Sequence, residues 1–165
     1  MATESKAGVA TTQVYEVYIR ASPQAVWDAI TSPEWNAKYG YQCPIEYELR
    51  PGGAYRALSS SEMQAMGIPE VIIDGVVEEV DPPRKLVHTY RFLFPETTKA
   101  EGFTRVTWEI EQVHAGFCRL TVVHELEGAP MMAAMVASKF SEMGTGGWAW
   151  ILSDMKTLLE TGSAM

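Results

Sequence analysis

With 165 residues, 47% of them apolar and 21% charged, the chain has the balance of a globular protein and long enough reach to bury roughly two thirds of its unfolded surface, which excludes a wholly disordered or fibrous chain. The formal net charge of −8 repels phosphate backbones and anionic membranes, and Lys and Arg form no run that offsets this field, so neither nucleic acid nor membrane is an expected partner. Two cysteines, Cys43 and Cys118, are too few for a disulfide scaffold, and no segment approaches the roughly 20 apolar residues of a membrane span; a cytoplasmic address with reduced thiols is the default.

Residues 1–12 are small and polar without periodicity and read as a flexible N-terminal tail, ahead of one domain over 13–162. Tyr15, Val17 and Ile19 alternate with Glu16, Tyr18 and Arg20, which predicts a strand with one buried face. Ser22-Pro23 and Ser32-Pro33 each set a capping hydroxyl before a proline at the first helical position, predicting two short helices. From Ile45 to Leu126 strands follow one another, broken by Pro51-Gly52-Gly53, Asp81-Pro82-Pro83, Pro95 and Ala115-Gly116.

A meander is the simplest arrangement of such strands. Leu86, His88, Tyr90 and Phe92 share one face, as do Val106, Trp108 and Ile110, and Leu120, Val122, His124 and Leu126. Together they predict a concave sheet surface rich in rings. At the end of the chain Trp148, Ile151, Leu152, Met155, Leu158 and Leu159 form one helical stripe, with Asp154, Lys156 and Glu160 assigned to the opposite side.

Few motifs carry chemistry. Gly144, Gly146 and Ala149 fit the loose spacing of a dinucleotide loop, but no strand leads into them, so a helix break with close backbone packing is the better reading. His88, His114 and His124 form no metal-ligand set; no metal or cofactor is expected. His114 sits beside a turn. His88 and His124 lie on apolar faces, either as polar contacts in a cavity or as hydrogen-bonded core residues. Glu79 shares a face with Ile73, Gly75 and Val77, where a carboxylate's pKa rises unless paired, or it stands at the exposed end of the strand. No nucleophile elbow or Cys-x-x-Cys is present.

Val17 to Pro23 with Val26-Trp27-Asp28-Ala29-Ile30, then Pro51-Gly52-Gly53, then Gly75 to Val87, and finally Gly147-Trp148 through Leu159-Glu160 and Gly162 resemble the SRPBCC superfamily. The branch they are most similar to is that of the C-terminal domain of the activator of the Hsp90 ATPase. The resemblance spans about 13–162 and implies an α+β helix-grip fold: a curved antiparallel sheet of about six strands around a long C-terminal helix, with two short helices after the first strand and a hydrophobic tunnel inside. Relatives implied include lipid carriers, hormone-binding proteins and polyketide cyclases. A Met-rich stretch, Ala129 to Thr145, departs from the branch pattern.

The first expectation is a binding protein for a small hydrophobic molecule in an apolar, ligand-sized cavity walled by Tyr55, His88, Tyr90, Trp108, His124, Met135, Trp148, Ile151 and Leu152. The second is a cyclase- or hydratase-like enzyme in the same cavity, with His88, His124 or Glu79 moving a proton. The third is a chaperone-interaction module with an exposed patch. Residues 131–143, with Met131, Met132, Met135 and Met143, are read either as a mobile gate or as an extra core helix.

Overall fold

The computed structural model describes residues 11–141 and 146–165. The expected tail lies outside them except for Thr11 and Thr12, and so do Met143, Gly144 and Thr145, on which the gate and the dinucleotide-like spacing partly rest.

The period-two segment forms β1 (Thr12–Ile19). Ser22 Oγ accepts the Ala25 N–H at 3.2 Å and Pro23 opens α1 (Pro23–Thr31), which buries Val26, Trp27, Ala29 and Ile30. Ser32 precedes α2 (Pro33–Asn36), but its hydroxyl makes no cap bond. Here the fixed φ of proline starts the turn without the expected side-chain cap.

The chain then runs through β2 (Ile45–Tyr47), β3 (Ala54–Leu58), α3 (Ser61–Ala65), β4 (Val71–Asp81), β5 (Lys85–Phe92), α4 (Glu96–Glu101), β6 (Thr104–His114), β7 (Phe117–Glu125), α5 (Pro130–Val136) and α6 (Trp148–Thr161). Strand order is β1-β7-β6-β5-β4-β3-β2, every pairing antiparallel. β2 to β7 are thus the expected meander, closed on its far side by β1. Seven strands rather than about six result because β2 has only three residues, too few for alternation to register. Gly53 permits the β2–β3 turn, since a Cβ there would stand 2.0 Å from the Glu48 carbonyl oxygen.

Helix α6 lays Trp148, Leu152, Met155 and Leu158 on the inner sheet face, with Ile151 and Leu159 packed at the margin. Asp154 is not on the solvent side as its spacing suggested. It is 4% exposed, and its carboxylate accepts the Gly40 N–H at 2.8 Å and the Met165 N–H at 2.7 Å. Two backbone donors, one from the loop after α2 and one from Met165, satisfy a carboxylate that periodicity alone placed in water.

Helix α5 buries Met132, Ala133 and Val136 and leaves Met131 exposed. No side chain caps its start locally. Instead the Glu101 carboxylate, from the end of α4, accepts the Met131 and Met132 N–H groups at 2.8 and 3.0 Å, and Gln13 Nε2 donates to the Ala133 carbonyl at 3.0 Å. Over Pro130–Val136 the Met-rich stretch is therefore a docked helix contributing to the core.

Candidate functional site

The inner sheet face gathers its rings because β5, β6 and β7 pair in register: His88 opposes Val106, and Val106 opposes His124. Trp108, two residues along β6, reaches His88, and its indole N–H donates to His88 Nε2 at 3.0 Å. An indole nitrogen can only donate, so Nε2 carries no proton. Nδ1 then holds the proton and donates it to the Thr89 carbonyl at 2.9 Å.

His124 has the opposite tautomer for the same reason. The Trp148 indole N–H donates to His124 Nδ1 at 3.0 Å, leaving Nε2–H to donate to Thr104 Oγ1 at 2.7 Å. The Thr104 hydroxyl passes its own proton to the Tyr90 carbonyl at 2.9 Å.

Both imidazoles are 0% exposed. Burial pushes the pKa of His88 down to about 4, against smaller opposing effects of the Thr89 carbonyl and Glu78. Burial, with a lesser contribution from His88, pushes His124 down to about 3. Each is a neutral ring with both nitrogens occupied by protein groups. Both rings are hydrogen-bonded within the core, each nitrogen meeting a protein group.

Tyr55 lies against His88 with ring centroids 4.1 Å apart and against Tyr47 at 4.9 Å. Tyr90 stands 5.2 Å from His124 and 6.2 Å from Trp148, and Trp148 meets Trp108 edge-on at 5.3 Å. Tyr55, His88, Tyr90, Trp108, His124 and Trp148 are thus in one network. Leu152 is buried in the adjoining core.

Glu79 does not belong to this site. The β4–β5 ladder shifts register between Val77 and Glu79, with Val77 opposite His88 and Glu79 opposite Val87. This bulge turns both Glu78 and Glu79 outward. Glu79 is half exposed and faces Lys85 across 3.4 Å.

Among the described residues, the open space beside these rings is small. Between β5, α5 and α6 the described residues leave a cleft of about 40 Å³, lined by Tyr90, Phe92, Met135, Trp148 and Ile151, with Tyr41 at its edge. That is room for about one water, where small-molecule pockets measure about 300–1,000 Å³. The two indoles and Tyr90 fill the space that the sequence reading left open. A wider concavity of about 300 Å³ lies elsewhere, on the outer sheet face among Asp81, Arg84, Lys85, Glu109, Glu111 and Arg119. Its walls are solvated, largely ion-paired side chains, remote from the rings.

Asn36, Tyr47 and Thr104 are interior polar residues that sequence reasoning did not select. The alternation of Ile45 and Tyr47 across the Pro-Gly-Gly turn from Tyr55 was the available signal for Tyr47. Among the described residues, no three His, Cys, Asp or Glu side chains converge as a metal site, and no helix is long and apolar enough to cross a membrane.

A seven-stranded antiparallel sheet curved over a C-terminal helix, with two short helices after β1 and a ring-lined interior, defines a helix-grip protein of the SRPBCC kind. Residues 20–160 match the family described as Activator of Hsp90 ATPase homolog 1-like protein, and the chain belongs to that family. No curated protein matches the sequence.

Among solved structures, protein CV1439 from Chromobacterium violaceum is 25% identical, with TM-score 0.65 over 91% of this chain and 97% of that one. The Aha1 dimer from Colwellia psychrerythraea is 18% identical, with TM-score 0.64 over 92% and 97%. PFC0360w, an HSP90 activator from Plasmodium falciparum, is 17% identical, with TM-score 0.55 over 93% and 89%. The chain spans 59% of the length of CalU16 from Micromonospora echinospora, another structure with this fold.

Proposed function

We propose that this protein binds a small apolar molecule in its ring-lined interior, admitted through the cleft between β5, α5 and α6. The observation that carries the reading is that Tyr90 and Trp148 belong both to the cleft wall and to the buried ring network. Displacing side chains at the cleft therefore gives a ligand direct access to the rings. Met135 is the side chain best suited to move, being unbranched and adaptable, so repacking around it costs little. The binding site would comprise Tyr55, Tyr90, Trp108, Met135, Trp148, Ile151 and Leu152, with His88 and His124 serving as fixed apolar-facing rings. Two unpaired thiols, Cys43 and Cys118, suit a reducing, cytoplasmic setting.

The test is a fluorescence titration with N-phenyl-1-naphthylamine, alongside native mass spectrometry of freshly purified protein for a retained small molecule. Saturable one-to-one binding is expected, weakened about tenfold or more by Met135→Trp, which fills the cleft. Absence of saturable binding, or equal affinity in the variant, overturns the reading.

A second reading, contact with an Hsp90-type chaperone, is supported by a surface group of rings. Trp150 lies 5.3 Å from Tyr41 and 5.2 Å from Phe140, and Phe140 is 56% exposed. Exposed clustered aromatics favour protein contact. The family's name and the activator of Plasmodium falciparum point the same way. Capture of purified Hsp90 by this protein, lost in Trp150→Ala, supports it; no capture at micromolar concentrations of both retires it.

A further inference from the structure

Asn36 Oδ1 and the Tyr47 hydroxyl are buried without a hydrogen-bond partner among the described residues. They stand on α2 and β2, which pack against each other. Asn36 is 3% exposed, and its amide orientation is settled by chemistry. Nδ2 lies 2.9 Å from the Ala29 carbonyl and 3.0 Å from the Ile30 carbonyl. Only the NH2 group can serve two acceptors, so the oxygen is the atom turned away from the end of α1. The same Nδ2 is 3.5 Å from the Tyr39 hydroxyl, which gives its own proton to the Ala29 carbonyl at 2.7 Å.

Tyr39 is in turn near enough to Tyr47 for their phenols to repel when ionised, and burial first of all holds the Tyr47 phenol well above its ordinary pKa, with no hydrogen bond opposing it. An acceptor with no donor and a hydroxyl with no partner thus stand on adjoining elements at one end of the interior. Buried polar atoms are nearly always paired, and the combination of one acceptor with one donor is complementary to a single hydroxyl group.

The rings beside them specify the rest of the molecule. Tyr47 packs on Tyr55, Tyr55 is near parallel to Tyr90 at 25° and 6.1 Å, and Tyr90 lines the cleft. The row leads from Tyr47 to the cleft.

We propose that Asn36 and Tyr47 are the polar end of the binding site, and that its ligand is a flat aromatic alcohol of the phenol or naphthol class. The ligand's hydroxyl donates to Asn36 Oδ1 and accepts from the Tyr47 hydroxyl, while its ring lies along Tyr55 and Tyr90. This rests on the proposed interior binding function and specifies its ligand.

The experiment measures affinities of 2-naphthol and of 2-methylnaphthalene, which replaces hydroxyl by methyl at nearly equal shape, for the wild-type protein and for Tyr47→Phe, with the melting temperature of each. The expected result is that the ratio of naphthol to methylnaphthalene affinity falls about tenfold in Tyr47→Phe, that methylnaphthalene binding is unchanged, and that the melting temperature is not lowered, since the variant removes an unpaired hydroxyl. An unchanged ratio overturns the proposal and shows that the pair holds water only. If neither compound binds the wild-type protein, the interior-binding function itself fails and this inference falls with it. Binding of both compounds with no effect of Tyr47→Phe removes the inference alone.

Discussion

The Trp148 indole donates to His124 Nδ1 at 3.0 Å, joining the first residue of α6 to the inner face of β7. Trp108 and His88 repeat the relation within the sheet at 3.0 Å. In both pairs the indole dictates the tautomer. His124 is therefore expected to be protonated at Nε2 and His88 at Nδ1, each exclusively. Nitrogen chemical shifts of the two imidazoles at neutral pH check this, and a mixed tautomer in either ring would contradict the assigned bonds.

Trp148→Phe keeps an aromatic ring but removes the donor. His124 Nδ1 is then a buried acceptor without a partner, which costs about 1–3 kcal/mol, in addition to the smaller ring's lost contacts. Urea unfolding is expected to show at least that loss. A change below ~0.5 kcal/mol would mean that the indole bond contributes little or that solvent replaces it.

Stability is expected to fall between pH 7 and 5, before most carboxylates titrate. The folded values of about 4 for His88 and about 3 for His124 lie below the ordinary 6.5 of the unfolded chain. The unfolded state thus binds more protons in this window, and the stabilisation present above pH ~6.5 is lost progressively as pH falls through the folded values. For His88 the whole effect is about 3 kcal/mol at 1.36 kcal/mol per unit. Urea midpoints at pH 7, 6 and 5 measure it, and His88→Gln should flatten the slope. A flat profile in the wild-type protein would show the imidazoles to be no harder to protonate folded than unfolded.

Glu101 caps α5 from outside that helix. Glu101→Ala leaves the Met131 and Met132 N–H groups without their acceptor and should cost about 1 kcal/mol. Hydrogen exchange is the sharper readout: Met131 to Val136 should be protected in the wild-type protein and exchange faster in the variant, with β6 and β7 unaffected. Rapid exchange throughout Met131 to Val136 in the wild-type protein would instead mark α5 as undocked.

Gly147 joins α5 to α6 by close approach. A Cβ there would meet the Val136 carbonyl oxygen at 2.1 Å, and its N–H donates to the Ser138 carbonyl at 3.0 Å. Gly147→Ala must push α5 away from the start of α6, at a cost of about 1–3 kcal/mol. Because Val136 and Gly147 both border the cleft, affinity for N-phenyl-1-naphthylamine should change as well. Wild-type melting temperature in this variant would rule out the tight contact.

Much of this site was legible in the sequence. Alternation along β5, β6 and β7 and the three-and-four stripe of α6 correctly turned His88, Tyr90, Trp108, His124 and Trp148 inward, because side-chain direction follows local backbone period. The two proline-started helices and the meander followed from equally local chemistry. Of the two readings of Glu79 the exposed one is found, because one extra residue in β4 reverses the faces beyond it, and nothing in Val77-Glu78-Glu79-Val80 marks where the ladder slips. Asp154 was misplaced because its partners, Gly40 and Met165, are set by folding and not by the helix that carries it.

The sequence by itself determined which residues face the interior, since that depends on spacing within each element. Only the tertiary structure decided what they do there. Whether inward rings enclose a cavity or fill it depends on the distance between sheet and α6, and at that distance Trp108 and Trp148 meet at 5.3 Å and leave about 40 Å³ at the cleft. Whether a buried polar atom is satisfied depends on neighbours remote in the chain: His124 finds Trp148 and Thr104, whereas Tyr47 and Asn36 Oδ1 find none among the described residues. Hydrogen bonds require particular atoms within about 3 Å, and no local pattern carries that information between segments that only folding brings together.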